Sequence, residues 1–181
     1  MLLQTTHRRV TEQEFLALPE TSERIELVDG EIVMPPAPSF GHQKILLEIG
    51  RALASWADTR EHPVEVVIAP ADLRLRRERI VQPDVFVLFE RVPRGHVGPI
   101  DIVPALCVEI TSGNPLYDRV TKRFLYGEAG VREYWVVHPT GLIERFTGEN
   151  LAEREDVAIG DLTTPLLPGF RLSLDELFDA K

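Results

Sequence analysis

The feature that most constrains the fold is a pair of apolar runs that each carry a single carboxylate. Residues 105–111 are apolar on both sides of Glu109, and residues 81–88 hold Asp84 in a similar setting. A strand that is apolar on both faces lies inside a sheet that is covered on both sides. An ionised carboxylate there costs free energy unless a cation, a metal or hydrogen bonds compensate its charge. The two runs therefore predict a buried sheet with a charged site among its strands.

The composition bounds the class of protein. With 181 residues, 44% of them hydrophobic, the chain is predicted to form one domain over residues 1–181 with its own core. The single cysteine, Cys107, excludes an intrachain disulfide framework and a cysteine-based zinc site. Residues 1–10 lack the apolar segment of a signal peptide, and no apolar run reaches the length of a membrane span. We therefore expect a cytoplasmic protein with no membrane partner.

The charge balance argues against a protein that coats nucleic acid by bulk electrostatics, because the formal net charge is −9. It leaves room for a nucleic-acid enzyme, which needs only a local basic patch and whose metal site is itself acidic. The densest basic cluster is formed by Arg74, Arg76, Arg77 and Arg79. We interpret this cluster as a solvated hairpin end, since charged turns are common on protein surfaces.

Local patterns place the first helices and the first hairpin. Thr11 and Glu14 have the spacing of a capping box at the start of a short helix. Asp29-Gly30 is a strong signal for a turn between two strands. Ser39 can cap a long helix that reaches about residue 59 and has an apolar face at helical spacing.

The remaining elements complete an α/β chain. The predicted strands are residues 24–28, 31–34, 64–69, 72–76, 105–111, 132–138 and 142–147, with one or two more in 151–159. A further strand ends at residue 89, and the sequence leaves open whether it begins at residue 80 or at residue 84. The other predicted helices are residues 117–129, which Gly130 ends, and a final helix that starts at Ser173. This order predicts an α+β mixed sheet with helices on its faces, followed by a β-rich C-terminal extension.

The two acidic residues suit a divalent-metal site. Glu109 follows Asp84 by 25 residues, which lets one strand end, a loop follow and the next strand return beside the first. The carboxylates can then project from neighbouring strands at the same level. Such a pair suits a hard cation such as Mg²⁺, which prefers oxygen ligands and keeps several waters. The carbonyl oxygen of Ile110 could supply a third ligand. A metal site of this kind is typical of phosphodiester hydrolases.

Lys122 could complete the chemistry from the following helix. It lies 13 residues after Glu109, early in the helix predicted at residues 117–129. Its long side chain can reach back over the strand ends if this helix packs on that face of the sheet. There it would either orient the attacking water or stabilise the charge on the phosphate, and the sequence leaves both roles open.

Each of these residues also has a purely structural interpretation. Asp84 follows Pro83, where a hydrogen-bonded surface aspartate at a strand start is common. Glu109 could pair with an arginine in the core. Asp118 and Lys122 have i, i+4 spacing, which usually places an ion pair on a helix surface. None of these interpretations explains why the charges occur in the order strand, strand, helix.

Seven blocks of sequence carry a resemblance to known nucleases. They are, in order, Glu26-Leu27-Val28-Asp29-Gly30-Glu31, Pro35-Pro36-Ala37-Pro38-Ser39-Phe40-Gly41-His42-Gln43, Pro83-Asp84-Val85, Val108-Glu109-Ile110-Thr111-Ser112, Asp118 with Lys122 and Tyr126, Gly130-Val131-Arg132-Glu133-Tyr134-Trp135, and Leu167-Pro168-Gly169-Phe170. Over nearly the whole chain this pattern resembles the PD-(D/E)XK nuclease superfamily and, within it, the Uma2-type family of restriction endonucleases. The resemblance implies a restriction-endonuclease-like core and a Mg²⁺- or Mn²⁺-dependent endonuclease. It implies Asp84 and Glu109 as metal ligands and Lys122 as the catalytic lysine.

The resemblance also adds supporting residues. Glu26 could complete an acidic cluster, although a charge on the sheet surface is an equally simple interpretation. His42 could contact a phosphate or a ligand water, or it could bond a backbone group at its helix N-terminus. Asp118 is the third supporting candidate, because it opens the block that contains Lys122.

The chain departs from the family pattern at three places. The superfamily lysine usually stands two residues after the acid, where this chain has Thr111, so the resemblance implies a lysine displaced to Lys122. Residues 112–115 replace the Ser-Pro-Ser/Thr turn of the family, and this change could alter the loop that positions the lysine. His138 stands where the family more often has aspartate.

The sequence therefore predicts a metal-dependent nuclease that hydrolyses phosphodiester bonds, with DNA as the substrate and a homodimer as the assembly, since duplex cleavage cuts two strands. One alternative is a catalytically silent nucleic-acid-binding or partner protein on the same fold. Another is a nuclease for RNA or for branched or single-stranded ends. A third is a regulatory partner in a toxin–antitoxin or mobile-element system. No DNA-recognition motif selects a target sequence.

Overall fold

The computed structural model describes residues 9–19, 21, 23–112 and 116–178. Its helices are α1 (Glu12–Leu16), α2 (Phe40–Ala57), α3 (Arg123–Ala129) and α4 (Leu174–Phe178), with a π-helical turn at Tyr117–Lys122 and a 3-10 turn at Glu149–Leu151. Its strands are β1 (Glu26–Val28), β2 (Glu31–Val33), β3 (Glu65–Ile68), β4 (Leu73–Arg76), β5 (Arg79–Val81), β6 (Val85–Leu88), β7 (Leu106–Ile110), β8 (Glu133–His138), β9 (Leu142–Thr147), β10 (Glu153–Val157), β11 (Asp161–Leu162) and β12 (Leu172–Ser173).

A six-stranded mixed sheet forms the centre of the fold. Its strand order is β10-β9-β8-β7-β6-β3, with β7 and β8 parallel and the other neighbours antiparallel. A parallel pair needs a crossover connection, and the π-helical turn with α3 supplies it here. All five residues of β7 are buried. The prediction of a central strand around Glu109 is confirmed, as is the mixed sheet.

Helices cover both faces of this sheet. On one face the apolar stripe of α2 packs against alternate residues of β6 and β7, a cluster that includes Ile45, Ile49, Leu53, Trp56, Val85, Val87, Val108 and Ile110. On the other face α3 packs against the intervening residues, a cluster that includes Phe86, Leu88, Cys107, Leu125 and Tyr126. Because side chains alternate along a strand, Glu109 lies on the α3 side with Cys107.

A smaller sheet has the order β2-β1-β5-β4. Asp29 and Gly30 join β1 to β2 with φ angles of 50° and 86°, the left-handed conformations that a tight type I′ hairpin requires. The predicted turn is thus confirmed. Pairing of β1 with β5 brings Glu26 beside the connection that leads into β6.

Of the two starts that the sequence left open for the strand ending near residue 89, the structure supports the later one, because residues 79–88 form two strands in different sheets. β5 belongs to the small sheet and β6 to the large one, and residues 82–84 connect them. Pro83 has no N–H to donate to a strand ladder, so the extended run breaks at this residue. Asp84 therefore precedes β6 and does not lie inside an apolar strand as the sequence suggested.

The helix predicted at residues 117–129 also differs in its first half. Residues Tyr117–Lys122 form a wider π-helical turn before α3 begins, a distortion that is often found at functional sites. Gly130 ends α3 as predicted, with a φ of 88°. None of the helices within the described residues has the length and apolar character that crossing a membrane requires.

The end of the arginine-rich hairpin is solvated as interpreted, since Arg76 and Arg77 are exposed, but the cluster is also ion-paired. Arg79 is only 4% exposed, and its guanidinium contacts Asp29 at 2.7 Å and Glu128 at 2.5 Å. Arg74 contacts Glu12 at 2.9 Å and Asp101 at 2.6 Å. The acidic partners neutralise most of the charge that the sequence places here.

Gly127→Ala is expected to destabilise the fold where α3 packs on the 3-10 turn. A Cβ at this position would lie 2.7 Å from the carbonyl oxygen of Asn150, so one of the two elements must shift. Overpacking of this kind costs about 1–3 kcal/mol of unfolding free energy, which urea denaturation can measure. Gly95→Ala is the control, because its Cβ would meet nothing within 4 Å. Equal stability of the two variants would contradict the close approach of α3 to Asn150.

Candidate functional site

Asp84, Glu109 and Lys122 line one cavity of about 200 Å³. Apolar residues between β2 and α2, including Met34, Pro35 and Pro36, also line this cavity. The structure thus brings together the three residues that the sequence singled out. Asp84 lies immediately before β6, Glu109 near the end of β7, and Lys122 at the end of the π-helical turn.

The strand register sets the level of the two acids. Val85 lies opposite Val108 in the antiparallel pair of β6 and β7, so Asp84 reaches the level of Glu109 at the strand ends. The backbone N–H of Ile110 donates to Oδ2 of Asp84 at 2.8 Å. Neighbouring strands at one level, which the 25-residue spacing predicted, are therefore present.

Asp84 is 1% exposed and accepts three hydrogen bonds. Arg24 donates to Oδ1 at 2.8 Å, while Ile110 N and Nε2 of His42, at 3.1 Å, donate to Oδ2. Burial alone would raise the pKa of Asp84. The His42 hydrogen bond and the Arg24 charge outweigh burial and hold this pKa below its usual range. Asp84 is therefore an ion at neutral pH.

The pKa of Glu109 is shifted in the direction opposite to that of Asp84. Its Oε1 accepts from Nζ of Lys122 at 2.8 Å and from the hydroxyl of Tyr126 at 2.6 Å. Burial is the largest influence and, with the negative charges of Asp84 and Asp118, outweighs the attraction of Lys122. Together they raise the pKa of Glu109 to about 8.

Lys122 joins two buried carboxylates. Its ammonium donates to Oε1 of Glu109 at 2.8 Å and to Oε1 of Glu26 at 2.9 Å, and the residue is 2% exposed. Burial lowers the pKa of Lys122, but the two carboxylates raise it further, so the amine stays protonated. The interpretation of Asp118 and Lys122 as a surface pair is therefore wrong. Asp118 is half-buried on the cavity wall, where burial raises its pKa to about 6.

Glu26 is completely buried, so its interpretation as a charge on the sheet surface is wrong. Its Oε1 accepts from the backbone N–H of Gln82 at 2.9 Å as well as from Lys122. Its Oε2 is buried and has no hydrogen-bond partner within the described residues. Glu26 therefore contributes a second acid to Lys122, as the acidic-cluster hypothesis required.

His42 contacts Asp84 and not a backbone group. Ser39 Oγ accepts from the backbone N–H of His42 at 3.2 Å, which caps α2 and leaves the ring free to turn toward the cavity. Because an ionised carboxylate only accepts, Nε2 of His42 is the donor to Asp84. In the part of the chain that the structure describes, Nδ1 of His42 is buried without a partner. The backbone interpretation of His42 is wrong.

The sequence interpretation missed Arg24 and Tyr126 as site residues. Tyr126 follows Lys122 by one helical turn, and this spacing could have indicated that both side chains reach Glu109. Arg24 gives no such signal, because it lies 60 residues from Asp84 along the chain. Tyr117 was also missed, and its hydroxyl is buried at the cavity without a partner among the described residues.

The departures from the family pattern lie at the ends of β7 and β8. Thr111 follows β7, and its hydroxyl lies 3.5 Å from Nδ1 of His138. The amine that the superfamily pattern would place at Thr111 reaches Glu109 from Lys122 instead. Of the altered turn at 112–115, Ser112 lines the cavity, and residues 113–115 lie outside the described residues.

The donor set fits a hard divalent cation that keeps several waters. Oδ1 of Asp84 holds one hydrogen bond, and Oε2 of Glu109 holds none within the described residues, so lone pairs remain on both carboxylates. Ile110 lines the same cavity. The described residues contain no group of three His, Cys, Asp or Glu side chains that could hold a metal. A cation would therefore need the Ile110 carbonyl and water beside the two carboxylates.

Comparison with known proteins points to one family. Residues 12–175 match the model of the Uma2 family, described as "Putative restriction endonuclease". The fold is similar to the crystal structure of "a putative nuclease belonging to DUF820" from Anabaena variabilis ATCC 29413. That match has 25% sequence identity and a TM-score of 0.76, and it covers 94% of this chain and 98% of the other. The expected nuclease fold is therefore confirmed. None of the curated proteins matches this chain.

The unfolding free energy is expected to fall as the pH rises from about 4.5 to about 8. In this range folded Glu109 holds a proton that the unfolded chain, with its ordinary pKa of 4.5, has lost. One such proton changes the unfolding free energy by up to about 1.4 kcal/mol per pH unit. Glu109→Gln removes this titration while keeping an oxygen that can accept from Lys122, so urea denaturation should give a flatter pH profile. The exposed Glu31→Gln is the control, and an unchanged slope in Glu109→Gln would contradict the raised pKa.

Proposed function

Because the chain belongs to the Uma2 family of restriction endonucleases, we propose that it is a metal-dependent nuclease that hydrolyses phosphodiester bonds in DNA. Family and fold indicate a nuclease, and hence a hydrolase that acts on nucleic acid. The observation that carries the finer proposal is the convergence of Asp84, Glu109 and Lys122 on one cavity. Two carboxylates and one protonated amine are the groups that phosphodiester hydrolysis with a divalent cation needs.

Asp84, Glu109 and the carbonyl of Ile110 would hold Mg²⁺ or Mn²⁺. A divalent ion held there lowers the pKa of a bound water and stabilises the charge that develops on the phosphate. The protein prepares this position with Asp84, which is already an ion at neutral pH. Glu109 needs to lose its proton to become a ligand, and its raised pKa means that this loss becomes easier as the pH rises toward 8.

Lys122 would act through the one N–H of its ammonium that is not bonded to Glu26 or Glu109. An ammonium has three donors, and within the described residues two of them are used by Glu26 and Glu109. The third can donate to a water or to a phosphate oxygen in the cavity that Lys122 lines. Both proposed roles, orientation of the water and stabilisation of charge, use this same N–H.

Three residues would support this arrangement. Glu26 accepts a second hydrogen bond from Lys122, beside the one that Glu109 accepts, and so would fix the position of the amine. His42 donates to Asp84 and fixes the orientation of its carboxylate. Asp118 adds negative charge to the cavity wall, which favours a bound cation.

A catalytically silent protein on the same fold is the second candidate. The observation that favours it is the internal neutralisation of the site, in which Arg24 contacts Asp84 and Lys122 contacts Glu109. Thr111 in place of the superfamily lysine points the same way. On this hypothesis the protein binds nucleic acid or a protein partner without turnover.

Asp84→Ala and Glu109→Ala are expected to abolish Mg²⁺- or Mn²⁺-dependent cleavage of plasmid and single-stranded DNA. Each variant removes a proposed ligand to the cation. Lys122→Ala should lower the cleavage rate by about 100-fold or more, as loss of a charge-stabilising donor does elsewhere, with little change in metal affinity. The measurement is a gel assay at saturating metal, with folding checked by circular dichroism because Lys122→Ala leaves two buried acids without a cation.

The control for these variants is Asp156→Ala, which removes an exposed carboxylate that pairs with Arg154 away from the cavity. It should cleave like the unmodified protein. Full activity in the three cavity variants would refute the assignment. A folded wild-type protein that cuts neither DNA form, RNA nor branched substrates with either metal would favour the silent alternative.

The proposed assembly is a homodimer, because cleavage of a duplex requires one cut in each strand. Sedimentation equilibrium with a short duplex should give the mass of two chains per duplex. A complex with one chain, together with cleavage of one strand only, would contradict the dimer and favour a nicking or single-strand activity.

A further inference from the structure

We propose that Arg24 and a divalent cation compete for the same oxygen of Asp84, so that Arg24 takes the place of the cation in the metal-free protein. This inference rests on the proposed function, since it concerns the cation that Asp84 and Glu109 would hold. It assigns a role to a residue that the sequence pattern did not single out.

The two oxygens of Asp84 are not equivalent. Oδ2 accepts from both Ile110 N and His42 Nε2, so its two lone pairs are occupied. Oδ1 accepts from Arg24 alone. The donors on Oδ2 are a strand backbone and a buried ring in the first turn of α2, which the fold holds in place. A further ligand must therefore approach Asp84 through Oδ1, the oxygen that Arg24 contacts at 2.8 Å.

Arg24 is the partner of Asp84 that can move. It precedes β1 and belongs to no strand or helix, and its side chain is 18% exposed, compared with 5% for His42. Its second hydrogen bond goes to the carbonyl oxygen of Gln82, on the segment that leads into Asp84. Arg24 also lines the cavity. A guanidinium and a divalent cation on one oxygen repel each other, so occupation by one disfavours the other.

The contact between Arg24 and Asp84 stabilises the metal-free protein. A buried carboxylate without a counter-charge is strongly destabilising, and Arg24 supplies that charge when no cation is present. The consequence is weaker cation binding, because the charge-assisted hydrogen bond of Arg24 must be broken first. Removal of the Arg24 charge should therefore strengthen cation binding while lowering the stability of the metal-free protein.

Titration calorimetry with Mn²⁺ tests this inference on the full chain without an activity assay. Arg24→Gln should bind Mn²⁺ about tenfold more tightly than the unmodified protein, because the cation no longer has to displace a charge-assisted hydrogen bond. Arg76→Gln is the control, because it removes the same charge from a residue that pairs with Asp29 and Glu128. Its Mn²⁺ affinity should not change at physiological salt, where distant charges are screened. Asp84→Asn should bind at least tenfold more weakly.

Thermal denaturation gives a second readout, which also shows whether each variant is folded. Metal-free Arg24→Gln should melt below the unmodified protein, and saturating Mn²⁺ should raise its melting temperature by more, because ligand binding stabilises by mass action. If Arg24→Gln does not fold, Arg24→Met replaces it, since methionine removes the charge and keeps an unbranched apolar side chain. That variant should also bind Mn²⁺ more tightly than the unmodified protein.

The outcomes separate this inference from the proposed function. Mn²⁺ binding that is equal or weaker in the Arg24 variants, but lost in Asp84→Asn, would overturn the competition and leave the metal site standing. An equal gain in Arg76→Gln would reduce the effect to net charge and would also overturn it. No Mn²⁺ binding in any variant would overturn the metal site and this inference with it.

Discussion

The ammonium of Lys122 is the interaction on which the rest of the site depends. It joins Glu26 of the small sheet to Glu109 of the large sheet, and it comes from the connection between the two parallel strands. Without its charge two buried acids would lack compensation, a situation that is strongly destabilising. One buried amine therefore fixes how both sheets and the crossover helix meet at the cavity.

The sequence predicted the parts of this arrangement that local pattern controls. Single acids in the apolar runs around Asp84 and Glu109 indicated a site where their charge is compensated, and strand pairing places them at one level. The spacing of Lys122 from Glu109 put an amine on the crossover helix that follows β7. Turn and cap signals such as Asp29-Gly30 and Ser39 also held, because short-range sterics and hydrogen bonds determine them.

The parts that the sequence did not predict depend on long-range contacts. Arg24 meets Asp84 across 60 residues, and no periodicity reports such a pair. The burial of Glu26 follows from the pairing of β1 with β5, which became visible only when residues 80–89 divided between two sheets at Pro83. The sequence likewise offered no signal for the π-helical turn before α3, since no residue in Tyr117–Lys122 breaks a helix by itself.

The two acids of the cavity are prepared in opposite ways, and this difference limits how a cation could enter. Asp84 is an ion that a guanidinium neutralises, whereas Glu109 tends to keep a proton at neutral pH. A cation that uses both must displace Arg24 from one carboxylate and a proton from the other. The fold is therefore stable before any cation arrives, because each negative charge already has a partner. On the proposed function, the same compensation would make cation binding weaker and pH-dependent, so the stability of the metal-free protein and its affinity for metal would oppose each other.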